Sequence, residues 1–355
     1  TGDENAFRAQ LRRLRGEQAR VQKDFREYFE KEKEKLAAEK RQNPAAAEKS
    51  EETSRKTMEG SSVRNAEFNA GLEEMKRISH RGYGNFLNPA AIFLSGLGSL
   101  RDGNFENARI DFQRLFEAMP GNPMFRQYYV TVLGKCGRQI PPELKGTPPF
   151  GFSPERDCVH VIFANGKSAA FKQIAVYFPV MTAWPMCEFY PAPFERLHVD
   201  ADGREHQTFP LADMDGILAQ EFQERLPGII TRIVLSTLIK EGAYHAGLIA
   251  VSSTRMDPTV KMIVLLSIAL GGAVYRAAVN TADTRSWEIL PKEFQMTTFP
   301  MPVKREVVLE LRGAAGAAAV RTSVRIPREC RSAVLFVSAP SSRNISCHVL
   351  PITSK

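Results

Sequence analysis

The sequence lacks a long hydrophobic run. Its most apolar stretch, Met262 to Tyr275, holds 14 uncharged residues between Lys261 and Arg276, whereas a membrane-spanning helix needs about 20. A second stretch, "RIVLSTLIK", is cut to seven uncharged residues by Arg232 and Lys240. Both read as core helices, expected near 227–246 and 259–279. Cysteine is scarce and unpaired in pattern: Cys136, Cys158, Cys187, Cys330 and Cys347 show no CxxC or other ligand spacing, which argues against a zinc site. The odd count leaves one thiol free in a monomer. In an oxidising compartment Cys330 with Cys347 is the pair to test, since both lie in one strand-rich tail. The six histidines are scattered, and neither HExxH nor GxSxG occurs, so no catalytic residue, metal or cofactor is predicted. A net charge of +8 makes the chain basic, but no basic stripe with interleaved aromatics is present, which argues against nucleic acid. The absence of an initial methionine before Thr1 points to a processed or trimmed product whose targeting segment is not visible.

What is present divides the 355 residues into segments. Over 1–42 a long charged helix carries Phe7, Leu11, Leu14, Val21, Phe25 and Tyr28 in steps of three and four, with a gap at Gln18. That spacing makes a narrow apolar stripe needing a partner helix. Residues 43–63 are polar and rich in Ala, Ser and Glu, and read as a flexible linker. The region 64–139 resumes a helical pattern. Within it, Gly96 and Ala108 are small residues suited to a close helix crossing, Gly103 supplies the turn, and Pro120 ends the second helix. Counted from Pro89, small residues at positions 8 and 20, aromatics at 17 and 24 and proline at 32 resemble the 34-residue tetratricopeptide repeat, although Ser95 and Ser99 stand where a leucine and an aromatic are usual. The segments at about 65–80 and 122–135 are its expected neighbours. Such repeats bind peptides on a concave face, here Ala90, Phe93, Leu94, Leu97 and Leu100, which is wholly apolar. It either holds an apolar segment or is packed internally.

A proline-rich linker follows at 140–156. Beyond it, 157–355 reads as an α+β domain with mostly antiparallel strands and a buried helical pair. Asn165 and Gly166 predict one hairpin turn, Asp202 and Gly203 another. Asp213 is expected to cap a first helix and Pro227 to start the next. The tail predicts strands in "EFQMTTF", "REVVLELR", "AVRTSVRI", "SAVLFVSA" and "ISCHVL".

Several fragments test as chemistry and fail. Gly166, Lys167 and Ser168 lack the earlier glycine of a phosphate loop, since Val161 occupies that place. Asp200, Asp202, Glu205 and His206 lack the closing glutamate of a calcium loop. Asp213 and Asp215 are explained by helix-end electrostatics, with a shared acid/base role as the alternative. Asp283, Arg285 and Trp287 alternate on an extended segment, as a latch or a recognition patch.

Taken in order, Asn88 and Pro89 before "FLSGL", the Asn165–Gly166 turn, "ADMD" followed by "EFQERLPGIITRIVLST", and "DTRSWEILP" resemble a family of uncharacterised bacterial lipoproteins with an N-terminal helical-repeat region. The resemblance covers about residues 85–300. It implies a periplasmic protein tethered to the outer membrane through a lipid anchor absent from this chain, with no catalytic residues assigned. Some members are encoded beside lipoproteins that activate penicillin-binding proteins. The resulting expectation is a non-enzymatic envelope scaffold that binds a protein partner, such as cell-wall synthesis machinery, or a second copy of itself. The sites would be Phe93, Leu94, Leu97, Leu100, Leu14 and Phe25. The alternative is an envelope hydrolase with a site between the helical and α+β parts.

Overall fold

All eight residues of β1 (Cys158–Asn165) are buried, a state that a strand reaches when both faces of its sheet are covered. The computed structural model describes residues 4–59, 65–84, 87–178, 180–253, 261–262, 264–265, 289–313 and 319–352. In it, β1 is central in a five-stranded sheet flanked by β10 (Ser332–Ser341) and β11 (Asn344–Ile352) on one side. On the other side lie β7 (Glu293–Pro300) and β6 (Phe209–Asp213). β1 pairs parallel with β10 and antiparallel with β7.

One face of this sheet offers Val159, Val161, Phe163, Leu335 and Val337 to a second sheet, formed by β5 (Arg204–Gln207), β4 (Phe194–Ala201), β8 (Glu306–Gly313) and β9 (Val320–Arg325). That sheet answers with Leu197, Val199, Leu309 and Leu311. The opposite face carries α4 (Pro89–Arg101), α5 (Phe105–Ala118) and α6 (Pro123–Lys135), whose Phe93, Phe112, Phe125 and Tyr128 share a core with Leu211 and Met296. A third core joins α3 (Ala66–Ser79), the hairpin of β2 (Ala170–Phe178) and β3 (Val180–Glu188), and α7 (Met214–Ser253), centred on Phe68 and Trp184 with ring centroids 5.1 Å apart. The fold is α+β, with a helical N-terminal region followed by a sheet-rich part.

The helix starts follow local chemistry. Asn88, Asn104 and Asn122 each accept backbone N–H groups of the first turn, and Pro89 and Pro123 sit where an N–H would be unpaired. Between α4 and α5 the chain turns at Gly103 with φ +72°. A Cβ on Gly96 would lie 3.1 Å from the Phe112 ring and 3.3 Å from Asp111 Cβ. Gly96 thus meets α5 one turn beyond Ala108, itself wholly buried. Ser95 and Ser99 fit this interface through hydroxyl bonds, Ser95 Oγ to Asp111 Oδ2 at 2.8 Å and Ser99 Oγ to the Ser95 carbonyl at 2.9 Å.

Five expectations are corrected. Residues 43–63 are not a plain linker: Pro44–Met58 forms α2, which packs on α7 with Ala47, Ser50, Thr53, Ser54 and Thr57 buried. The 140–156 stretch is not merely a linker either, since Leu144 and Phe150 belong to the helical core. Asn165 and Gly166 do not join a hairpin, because β1 pairs with β10 and β7 while β2 pairs with β3. The two helices expected about Pro227 are a single helix, α7, with Pro227 inside it. Finally, α3 packs on α7 and the β2–β3 hairpin instead of flanking the repeat.

Of the expected buried pair, the 227–246 part of α7 buries Ile230, Val234 and Leu235, and most of 259–279 lies outside the described residues. The Asp202–Gly203 hairpin is present, with φ of +51° and +78°, as are the five tail strands. Replacing Ala108 by leucine should cost about 1 to 3 kcal/mol through overpacking. Unchanged thermal unfolding would show that α4 and α5 are not held this close.

Candidate functional site

The root of α7 gathers the titratable groups that link the layers. β6 and β7 are neighbours whose ends, Asp213 and Glu293, lie opposite each other, and α7 leaves the sheet between them. Asp213 caps the helix, its Oδ1 accepting the Gly216 N–H at 2.9 Å. The Asp213 N–H donates to the Tyr83 hydroxyl at 2.8 Å, and Arg81 Nη1 lies 3.7 Å from Asp213 Oδ2. Asp215 is 1% exposed. Its Oδ1 accepts the Ala169 N–H at 2.7 Å, and its Oδ2 is ion-paired with the Lys292 ammonium. The Lys292 carbonyl accepts the Met214 N–H at 2.9 Å, so this one residue holds both ends of the excursion. Gly216 lets the loop after α3 approach, since a Cβ there would come within 2.8 Å of the Arg81 carbonyl carbon.

Electrostatics follows from burial. Desolvation raises the Asp215 carboxyl, and the Lys292 hydrogen bond and charge oppose it. Burial likewise raises Glu293, opposed by Asn165 Nδ2 at 2.8 Å and Gln295 Nε2 at 2.7 Å. The Tyr83 phenol is pushed up to about 12 by burial. Asp215 therefore has both oxygens engaged inside the fold, one by a backbone donor and one by a lysine. The pair acts as a clasp.

A second cluster escaped the sequence analysis. Cys158 and His160, two apart on β1, share the face beneath the helices. The His160 Nδ1 lies 3.0 Å from Thr298 Oγ1 and 3.3 Å from the Tyr128 hydroxyl, which is 2.8 Å from Thr298 Oγ1. Cys158 Sγ is 3.4 Å from His160 Nε2. The arrangement has the elements of a thiol–imidazole pair, but burial pushes Cys158 up to about 12 and His160 down to about 4. At neutral pH both are uncharged, so no thiolate nucleophile forms. The cluster bonds α6 to β1 and β7. The alternation Cys158-x-His160 was the available signal; Tyr128 and Thr298 come from distant parts of the chain.

An open hollow of about 550 Å³ lies by the α4–α5 turn, lined by Asp102, Asn104, Glu106, Lys135 and Cys136 among others. None of the groups above lines it.

The expected partner face is mostly internal: Phe93 and Leu100 are core, Ala90 and Leu97 pack partly against it, and Leu94 is 42% exposed. α1 (Glu4–Gln42) packs against α4, α2 and α7. Its Phe25 ring meets Phe29 edge-on at 4.6 Å. Its Tyr28 lies beneath the Arg225 guanidinium at 5.5 Å from the ring centre, and Glu32 pairs with Arg232 at 2.5 Å. The Leu14 side chain, and Asp283, Arg285 and Trp287, lie outside the described residues. Pro120 follows α5, which ends at Ala118.

Among the described residues no helix is long and apolar enough to cross a membrane, and no three His, Cys, Asp or Glu side chains are placed to hold a metal ion. No family model, curated protein or solved structure matches the chain.

Replacing Lys292 by methionine leaves the buried Asp215 without its cation and should cost about 3 to 5 kcal/mol. Adding Asp215→Asn, whose amide oxygen still accepts from Ala169, should recover most of that loss. A double variant as unstable as the sum of the singles would show that the two groups do not interact.

His160 gives a pH test. Its folded pKa of about 4 lies below the ordinary 6.5, so the unfolded chain binds the extra proton and stability falls as pH drops through that window. The difference in unfolding free energy between the wild type and His160→Asn should shrink by about 3 kcal/mol from pH 7 to pH 4. A constant difference would contradict a neutral buried imidazole.

Proposed function

We propose that this chain is a non-enzymatic interaction module of the bacterial cell envelope, using its helical region to recruit a protein partner. The observation that carries this reading is the state of α1. The body pins α1 through Tyr28 and Glu32, yet Val21 on the same stripe is 51% exposed and Tyr28 44%. A helix with a narrow apolar stripe and charged flanks gains stability by laying that stripe against another helix. Leu94 and Ile110, at 42% and 45% exposure on α4 and α5, are further exposed apolar side chains of the helical region.

The acid groups support the same reading. Asp213 and Asp215 cap and clasp α7, so the features suggesting acid/base work already have structural partners. The envelope location rests on the resemblance to exported lipoproteins, and the tetratricopeptide-like character of α4 and α5 rests on residue spacing.

The test is cross-linking in envelope extracts, comparing the wild type with the Leu14→Asp, Phe25→Asp variant. The variant should lose partners that the wild type captures. Identical partners would make the stripe an internal packing face and end the recruitment model.

A further inference from the structure

Sheet edges expose unpaired backbone N–H and C=O groups, and proteins blunt them with charge, proline, bulges, short strands or covering elements. Three of the four edges of the two large sheets carry such devices. β5 has four residues, including Arg204 and Glu205. β9 carries Arg321 and Arg325. β6 has Pro210, a register shift beside it, and cover from the helices, with Asn122 Nδ2 donating to the Pro210 carbonyl.

β11 differs. Its nine residues, "NISCHVLPI", contain no Asp, Glu, Lys or Arg. Its single proline, Pro351, and the register shift against β10 between Ser338 and Ser341 lie toward its two ends, leaving Ser346–Leu350 in regular register. Among the described residues it pairs with β10 alone. Ile345, Cys347 and Val349 pack against the sandwich core but remain partly exposed, and Leu350 on the other face is 52% exposed.

We propose that β11 is the mating edge of a symmetric dimer, pairing antiparallel with β11 of a second copy to join two five-stranded sheets into one. Self-pairing is favoured because the strand is complementary to itself. With Cys347 opposite its own copy, Ile345 faces Val349 and the core-side row becomes Ile–Val, Cys–Cys, Val–Ile. The outer row sets Ser346 against His348 and Asn344 against Leu350. No like-charged carboxylates or ammonium groups meet, and apolar surface left half-covered at the sandwich margin is completed. Antiparallel neighbours directly opposite lie about 4.5 to 5.5 Å apart at Cα, within disulfide reach.

Sedimentation equilibrium and mild oxidation test this on the full chain. The wild type should show a two-chain mass, and Ser346→Lys with His348→Lys, both on the exposed face, should halve it with far-UV circular dichroism unchanged. Oxidation should cross-link the wild-type dimer on a non-reducing gel, and Cys347→Ser should abolish the link while keeping the two-chain mass. A wild type sedimenting as one chain at tens of micromolar overturns the proposal. So does a two-chain mass in the double-lysine variant, a wild-type dimer that does not cross-link, or a cross-link surviving Cys347→Ser. Phe25→Asp should leave this dimer intact, which separates its outcome from that of the recruitment model.

Discussion

Burial of β1 on both faces is the constraint from which the architecture follows. A central strand with no exposed residue needs one layer on each side, and here the layers differ: a second sheet on one side, α4 to α6 on the other. The face beneath the helices carries His160, which is tolerated because Tyr128 and Thr298 satisfy it. At the strand's end, Asn165 Nδ2 donates to the Phe194 carbonyl of the second sheet and to Glu293 of β7. Buried polar groups bonded across elements in this way impose a particular register as well as holding layers together.

The root of α7 extends the same logic. A helix inserted between two adjacent strands must leave and return at nearly one point, and the Asp213 cap, the Asp215–Lys292 pair and the Lys292 carbonyl close that point. Groups that would suggest catalysis in isolation are spent on closure. The surfaces left over are elongated ones, the stripe of α1 and the edge of β11, which is why the functional reading favours association.

Legibility in the sequence depended on whether partners were local. The β4–β5 hairpin was readable because Asp202 and Gly203 both take positive φ between adjacent strands. Asn165 and Gly166 gave the same signal without a hairpin, because Gly166 has φ +68° in a connection whose N–H bonds to Ala339 and β1 finds its partners far along the chain. α2 was hidden by composition. Apart from Ala47 its buried residues are Ser and Thr, whose hydroxyls bond carbonyls, as with Thr57 to Thr53 at 2.7 Å and Ser54 to Pro227 at 2.9 Å. Pro227 misled because a proline suits a helix start, whereas here it sits inside α7; its own carbonyl accepts the Ser54 and Thr231 hydroxyls, the first tying α2 to α7. Of the candidate site, Asp213 as cap was readable from its position, whereas Lys292 as partner of Asp215 depends on tertiary placement.

The central claim is that α4 to α6 and the sheet carrying β1 form one cooperative unit, coupled through Tyr128, His160 and Thr298. Native-state hydrogen exchange, followed by mass spectrometry across denaturant, measures the opening free energy of each segment directly. The account predicts that amides of α6 and β1 open together at the highest free energy in the molecule. Opening of α4 to α6 at markedly lower free energy, with β1 still protected, would contradict it.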